Sequence, residues 1–325
     1  TGDARVDGLL ARMTLAEKIA LLHGTREPAA SDQGQAGYWA GLPRLGIPPR
    51  RLSDGPPGVL TRMPSTGMSA TMGLAATFSR RDAYENGVVI GRDARALGIQ
   101  VVLEPFINID RDQSFVRAYN TFGEDPFLTG QIAAAQIRGT QDQDVMAQAK
   151  HYIAYDGGDD VVVGQQALHE IYAAAFAAAV AAGVSSIMCS YNRVNGPYAC
   201  GNPDTLQTLL RGQLGFQGFV TSDWGATHDA LFINDGLNLE MPGPLPGNSL
   251  PSYFDTGVAQ AVKRGQVSEL AITRAVGRIL LQMDRFGYLA HAPGMAVQPE
   301  PVVADEQVVQ KTAEEAAVLL KNAGG

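Results

Sequence analysis

Gly218-Phe219-Val220-Thr221-Ser222-Asp223-Trp224-Gly225 is the stretch on which the reading of this chain turns. An apolar run suited to a buried strand stops at a carboxylate placed beside an indole. An ionised carboxylate at the edge of a low-dielectric core survives only where cations or hydrogen-bond donors hold it, so Asp223 predicts partners elsewhere. Five further strand-like runs end on polar residues in the same manner, at Ser53-Asp54-Gly55, Glu104-Pro105, Lys150-His151, Ser190-Tyr191-Asn192 and Leu239-Glu240-Met241. Between the runs lie helical patterns over Arg80 to Leu97, Pro126 to Gln141, Gln166 to Ala182 and Pro203 to Leu214. Thr14 and Glu17 form a capping box that opens an earlier helix. Short apolar runs alternating with helices are the signature of parallel strands joined by crossover helices. An open doubly wound sheet gathers its reactive groups at one switch point, whereas here they fall at the carboxyl ends of nearly all strands. The reading is therefore α/β, a TIM-like (β/α)8 barrel with one or two strands degenerate or hidden in the segment from Gly34 to Pro49.

The 325 residues, 45% of them hydrophobic, suffice for a large core. A net charge of -8 argues against nucleic acid and anionic membrane surfaces, which carry the same sign, and favours a neutral or cationic ligand. The longest small-apolar run, Ile171 to Val184, falls short of the roughly 20 residues a bilayer span needs. Cys189 and Cys200 close a loop over Tyr191 to Pro197, either as a disulfide or as two buried thiols; neither has metal-site spacing. The five histidines are scattered, and no metal site is read. The N-terminus shows no basic segment followed by an apolar one, although a start at Thr1 is compatible with a removed signal; localisation stays open, with extracellular slightly favoured over cytoplasmic.

Taken in order, Ser53-Asp54-Gly55-Pro56, Arg111-Asp112, Thr121-Phe122-Gly123-Glu124-Asp125-Pro126, Lys150-His151, Met188-Cys189-Ser190-Tyr191-Asn192 with Val194-Asn195-Gly196, the Asp223 stretch, and Leu239-Glu240-Met241-Pro242 resemble the N-terminal barrel domain of glycoside hydrolase family 3, the β-glucosidase type. The resemblance runs from about Val6 to Gly325. It implies that Asp223 is the nucleophile of a retaining double displacement, kept ionised by Arg117 and Lys150. It further implies that Asp54 accepts hydrogen bonds from the sugar's distal hydroxyls, while Lys150 and His151 donate to adjacent ones and Arg117 forks onto a vicinal pair. Tyr191 would bond near the nucleophile and Trp224 would give the ring a flat wall. Five of these have a plainer reading: a helix cap for Asp223, a turn residue for Asp54, an ion pair with a core histidine for Lys150 and His151, and core packing for Trp224. Glu124-Asp125-Pro126 reads as a helix start rather than a ligand contact.

The chain also departs from the family pattern. Gln113-Ser114-Phe115-Val116 stands where Pro-Arg-Trp-Gly is usual, Asn120 replaces a Glu, and Gln165-Gln166 replaces Glu-Arg. The Pro-Gly-His of single-domain N-acetylglucosaminidases does not follow Lys150-His151, which disfavours that subgroup. The resemblance places a barrel domain at 1–290 and, at 291–325, a linker and the start of a second α/β domain that would supply the acid/base carboxylate. The function expected is a retaining exo-acting β-glycosidase, first of all a β-glucosidase, acting on an oligosaccharide or small glycosylated aglycone without a cofactor. Alternatives are a β-xylosidase of the same family, a non-catalytic sugar-binding barrel and a metal-dependent hydrolase.

Overall fold

Strand β4, Met146–Tyr152, is buried along its whole length, as a parallel strand must be when it is covered on both faces. Around it the computed structural model, which describes residues 1–112, 114–245, 247, 251–290 and 302–324, arranges a curled sheet. Its other members are β1 (Gly37–Trp39), β2 (Arg50–Asp54), β3 (Val101–Leu103), β6 (Ser186–Cys189) and β8 (Phe219–Ser222), in the order β1-β2-β3-β4-β6-β8. Every neighbouring pair is parallel except β1 with β2. A separate two-stranded ribbon, β5 (Asp160–Val161) with β7 (Arg193–Val194), lies outside this ring.

The open edges of the sheet are joined by two segments too short to count as strands. Leu239 bridges Thr221 of β8 in parallel, and Glu240 bridges His23. The Thr25 N–H then donates to Tyr38 O of β1 at 2.9 Å. A closed TIM-like barrel results, with all six strand ends read from the sequence in place. The two remaining staves are β1, inside Gly34 to Pro49 as expected, and the segment around His23, which the sequence reading did not pick out.

Inside the ring, one polar side chain links three strands. Gln148 Nε2 donates to Ser186 Oγ and to Thr221 Oγ1, both at 3.0 Å, which ties β4, β6 and β8 together. The Thr14–Glu17 capping box is present on the helix Leu15–Ala20. Asp125 caps Pro126–Gln141 through the N–H groups of Phe127 and Leu128, which accounts for Glu124-Asp125-Pro126 as a helix start. That helix lies so close to Arg80–Ala96 that a Cβ on Gly87 would stand 2.1 Å from Gln136 O, and one on Gly139 2.1 Å from Tyr84 O. Only glycine fits at these two crossing points. The pattern over Gln166 to Ala182 forms as Gln165–Ala167, a wide-turned Leu168–Tyr172 and Ala174–Ala181, and the Pro203 to Leu214 pattern forms as a wide-turned helix over Asp204–Gln213. No helix among the described residues is long and apolar enough to cross a membrane.

Cys189 and Cys200 are joined in a disulfide, which resolves the alternative left open by the sequence. The bridge closes a loop of separation 11 and is buried. Chain-entropy reasoning gives a bridge of that span about 3 kcal/mol, so the double variant Cys189→Ala/Cys200→Ala should lose that much in urea unfolding. A loss below about 1 kcal/mol would show that the loop is held by its packing instead.

The boundary expected between 290 and 291 adjoins 291–301, outside the described residues. The helix Val302–Glu315 lies against Arg80–Ala96, where Asp305 pairs with Arg92, and Lys311 with Asp82 and, at 3.4 Å, with Glu85.

Candidate active site

At the carboxyl end of β2 the Asp54 side chain is half exposed, and Lys150 Nζ from β4 donates to its Oδ1 at 2.6 Å. The lysine side chain is only 3% exposed. A buried ammonium facing one carboxylate at the mouth of a barrel is poorly placed for a merely structural pair, because the carboxylate keeps free lone pairs toward the opening. The β4 register shifts between Lys150 and Tyr152, and this irregularity allows the consecutive residues Lys150 and His151 both to serve the mouth.

Asp223 follows β8 directly and is buried. Its Oδ1 accepts from Tyr191 Oη and from its neighbour's backbone, Trp224 N, each at 2.7 Å. Its Oδ2 accepts no hydrogen bond and stands 3.2 Å from His151 Nε2. No helix begins at this point; the next is Phe232–Asp235, so Asp223 is not a helix cap. One carboxylate oxygen is thus anchored, and the other is unencumbered.

His151 is oriented by a residue the sequence reading missed. Asn108 Oδ1 accepts from the His151 backbone N at 2.8 Å, and Asn108 Nδ2 donates to His151 O at 2.8 Å. The ring Nδ1 faces the same Oδ1 at 3.3 Å, within reach of a hydrogen bond to it. Burial, then the Lys150 and Arg117 cations, hold the imidazole pKa well below its ordinary value. The 3.2 Å contact with Asp223 therefore joins a neutral ring to a carboxyl group and is not an ion pair. Arg117 Nη1 approaches the same Nε2 at 3.4 Å, and its Nε donates to Asn120 Oδ1 at 3.4 Å. Asn120 thus takes up Arg117 where the family resemblance expected a Glu. The Arg117 guanidinium lies over Phe106, 4.8 Å from the ring centroid.

This geometry corrects one expectation. Arg117 and Lys150 do favour the anion of Asp223, but burial outweighs them and the direct donors, and its pKa stands above the ordinary Asp value. Tyr191 and the Trp224 N–H, rather than the two cations, make the hydrogen bonds to Asp223. Trp224 is half-buried, packs with part of its surface against the core and donates Nε1–H to Ala36 O at 3.1 Å. Of the departures noted above, Gln113 lies outside the described residues. Phe115 packs edge-on against Tyr155, 5.2 Å between centroids. Beyond Tyr191 a cavity of about 990 Å3 opens between that pair and the ribbon β5–β7, with Asp112, Asp156, Asp159 and Asp160 on its walls.

Fold and site together define a TIM-like barrel whose mouth holds a one-side-anchored carboxylate next to a lysine–carboxylate pair. Residues 40–281 match the model of the glycosyl hydrolase family 3 N-terminal domain, and the chain belongs to that family. A β-glucosidase of Rhizobium radiobacter is 35% identical over 98% of this chain and 39% of its own length. β-Glucosidase A of Aspergillus kawachii is 34% identical over 87% of the chain and 35% of its own length. Among solved structures, that of DesR, a β-glucosidase from Streptomyces venezuelae in complex with D-glucose, superposes with a TM-score of 0.90 at 40% identity, covering 99% of this chain and 42% of that one. The chain spans well under half the length of these relatives.

Proposed function

We propose that this chain is the catalytic barrel of a retaining, exo-acting β-glycosidase, with β-glucoside as substrate and Asp223 as nucleophile. One observation carries the reading. Asp223 Oδ1 is tied to Tyr191 and Trp224 N while Oδ2 is unbonded, and this occurs at the same barrel mouth as the half-exposed Asp54–Lys150 pair. In the proposed reaction Oδ2 attacks the anomeric carbon as the glycosidic oxygen leaves with a proton, and water then displaces the sugar from the ester. Asp54, Lys150, His151 and Arg117 hold the sugar hydroxyls, Trp224 walls the ring, and the cavity beyond Tyr191 receives the leaving group. The relatives named β-glucosidases, one of them with D-glucose bound, support glucose as the sugar.

The test is covalent trapping. A 2-fluoro-β-glucoside with a good leaving group should add one fluoroglucosyl mass to the peptide carrying Asp223 in the full-length protein; a label on another carboxylate, or none, refutes the assignment. The acid/base is assigned to a second domain outside these residues. General acid assistance is typically worth about 10²- to 10⁴-fold. The barrel alone should therefore cleave activated aryl glucosides while losing that factor on alkyl glucosides, and an undiminished alkyl rate would place the acid within this chain. An extracytoplasmic location fits the Cys189–Cys200 disulfide.

Lys150→Met provides a second check on the sugar site. A hydrogen bond to a charged group is worth about 1.5–3 kcal/mol, so glucose affinity measured by calorimetry should fall roughly 10- to 150-fold. An unchanged affinity would make the Lys150–Asp54 pair structural.

A further inference from the structure

Glu104 follows β3 and is buried with 1% exposure, and neither carboxyl oxygen has a hydrogen-bond partner. It lies directly behind the sugar-facing pair: a Cβ added to Gly55 would stand 2.6 Å from Glu104 Oε1, and the Gly55 N–H is in turn bonded to Asp54 Oδ1 at 3.0 Å. The backbone that carries it is stitched to Lys150, since Lys150 N donates to Pro105 O at 3.0 Å and Ile107 N to Lys150 O at 2.7 Å. An anion with no donor on either oxygen is very costly in such a place, whereas the neutral acid costs far less. The charged groups that act on it are Lys150 from β4, which favours its anion, and Asp54 from β2, which opposes it.

We propose that Glu104 is a positioning residue of the sugar pocket: as a neutral acid it leaves the Lys150 ammonium to Asp54 and the sugar, and as an anion it draws that ammonium away. This rests on the glycosidase reading only for the identity of the ligand. Burial places the ionisation of Glu104 at about 8, inside the range in which an enzyme can be assayed. Bound sugar would cover Asp54 and remove water from the pair, raising the cost of the anion further. By linkage the affinity is then full below that pH and falls as pH rises through it.

The experiment is calorimetric binding of D-glucose from about pH 6 to about pH 10, alongside the 15N resonance of the Lys150 ammonium, in wild type and Glu104→Gln. The wild-type Kd should weaken about tenfold over this range, the equivalent of one unit of coupling. Both readouts should share a midpoint near 8. In Glu104→Gln both should be flat. The same titration persisting in the variant assigns it to another group and overturns the proposal. A flat wild-type profile overturns it without any variant. If D-glucose fails to bind wild type at any pH, the sugar reading falls, and the Lys150 resonance still decides the coupling: a titration lost in Glu104→Gln upholds it, and no titration refutes it.

Discussion

Asp223→Asn should abolish turnover of aryl β-glucosides by the full-length protein, by about 10⁴-fold or more, while glucose still binds. The variant keeps the shape of the side chain, and its amide oxygen can still accept from Tyr191 Oη and Trp224 N, which the wild-type Oδ1 does at 2.7 Å each. What it loses is the oxygen that accepts nothing in the native site, Oδ2, and with it the covalent route. The measurement is kcat and KM on a nitrophenyl glucoside, combined with the fluoroglucoside label. A residual rate within tenfold of wild type would remove Asp223 from the chemistry. The wild-type profile adds a sign. Because burial raises the Asp223 pKa, the reactive anion is lost as pH falls through a value above the usual Asp range, so the acid limb should sit higher than an exposed aspartate would give. Tyr191→Phe removes one donor to the anion and should move that limb higher still.

Much of this arrangement is legible in the sequence because barrel chemistry falls at strand ends, and strand ends show as apolar runs closing on a polar residue. Asp54, Lys150, Tyr191 and Asp223 sit on four such ends and meet at one mouth. The staves that show least in the sequence are short. Gly37-Tyr38-Trp39 offers three residues and His23 a single bridge, too little for any periodicity, and closure depends on pairing with distant segments. Asn108 escapes for a different reason, and Glu104, although it marks a strand end, gives no sign of its role. Both lie in the turn after β3, where the sequence shows one Asn and one Glu, and what distinguishes them is which partners the fold supplies or withholds. Asn108 meets the backbone of His151, whereas Glu104 meets no donor. The balance on Asp223 is tertiary in the same sense: the nearby cations could be guessed from residue type, but the depth of burial that outweighs them could not.

Glu104→Gln should leave stability in mildly acid solution near that of wild type and raise it markedly in alkali. The ordinary Glu value is 4.5, and burial moves the folded-state value to about 8. A carboxyl whose pKa is raised on folding contributes stability that is fully present below the unfolded value and is lost as pH climbs through the folded one. The loss across that window is on the order of 5 kcal/mol, a large share of a domain's net stability. The amide introduced by Glu104→Gln carries no charge at any pH, so the decline specific to this site vanishes in the variant. Asp223 and Glu240 are shifted upward as well and give both proteins a shared slope, which is why the informative quantity is the difference between them. Glu17, drawn down to about 2 by Arg44 and its capping box, acts in a separate acid window, where stability is present above its unfolded value and lost as pH falls. Urea unfolding at about pH 5, 7 and 9 would show the curves converging at the first and separating by several kcal/mol at the last. Parallel curves would mean that Glu104 is ionised throughout, with a donor reaching it in solution, and its role behind the Lys150–Asp54 pair would fall as well.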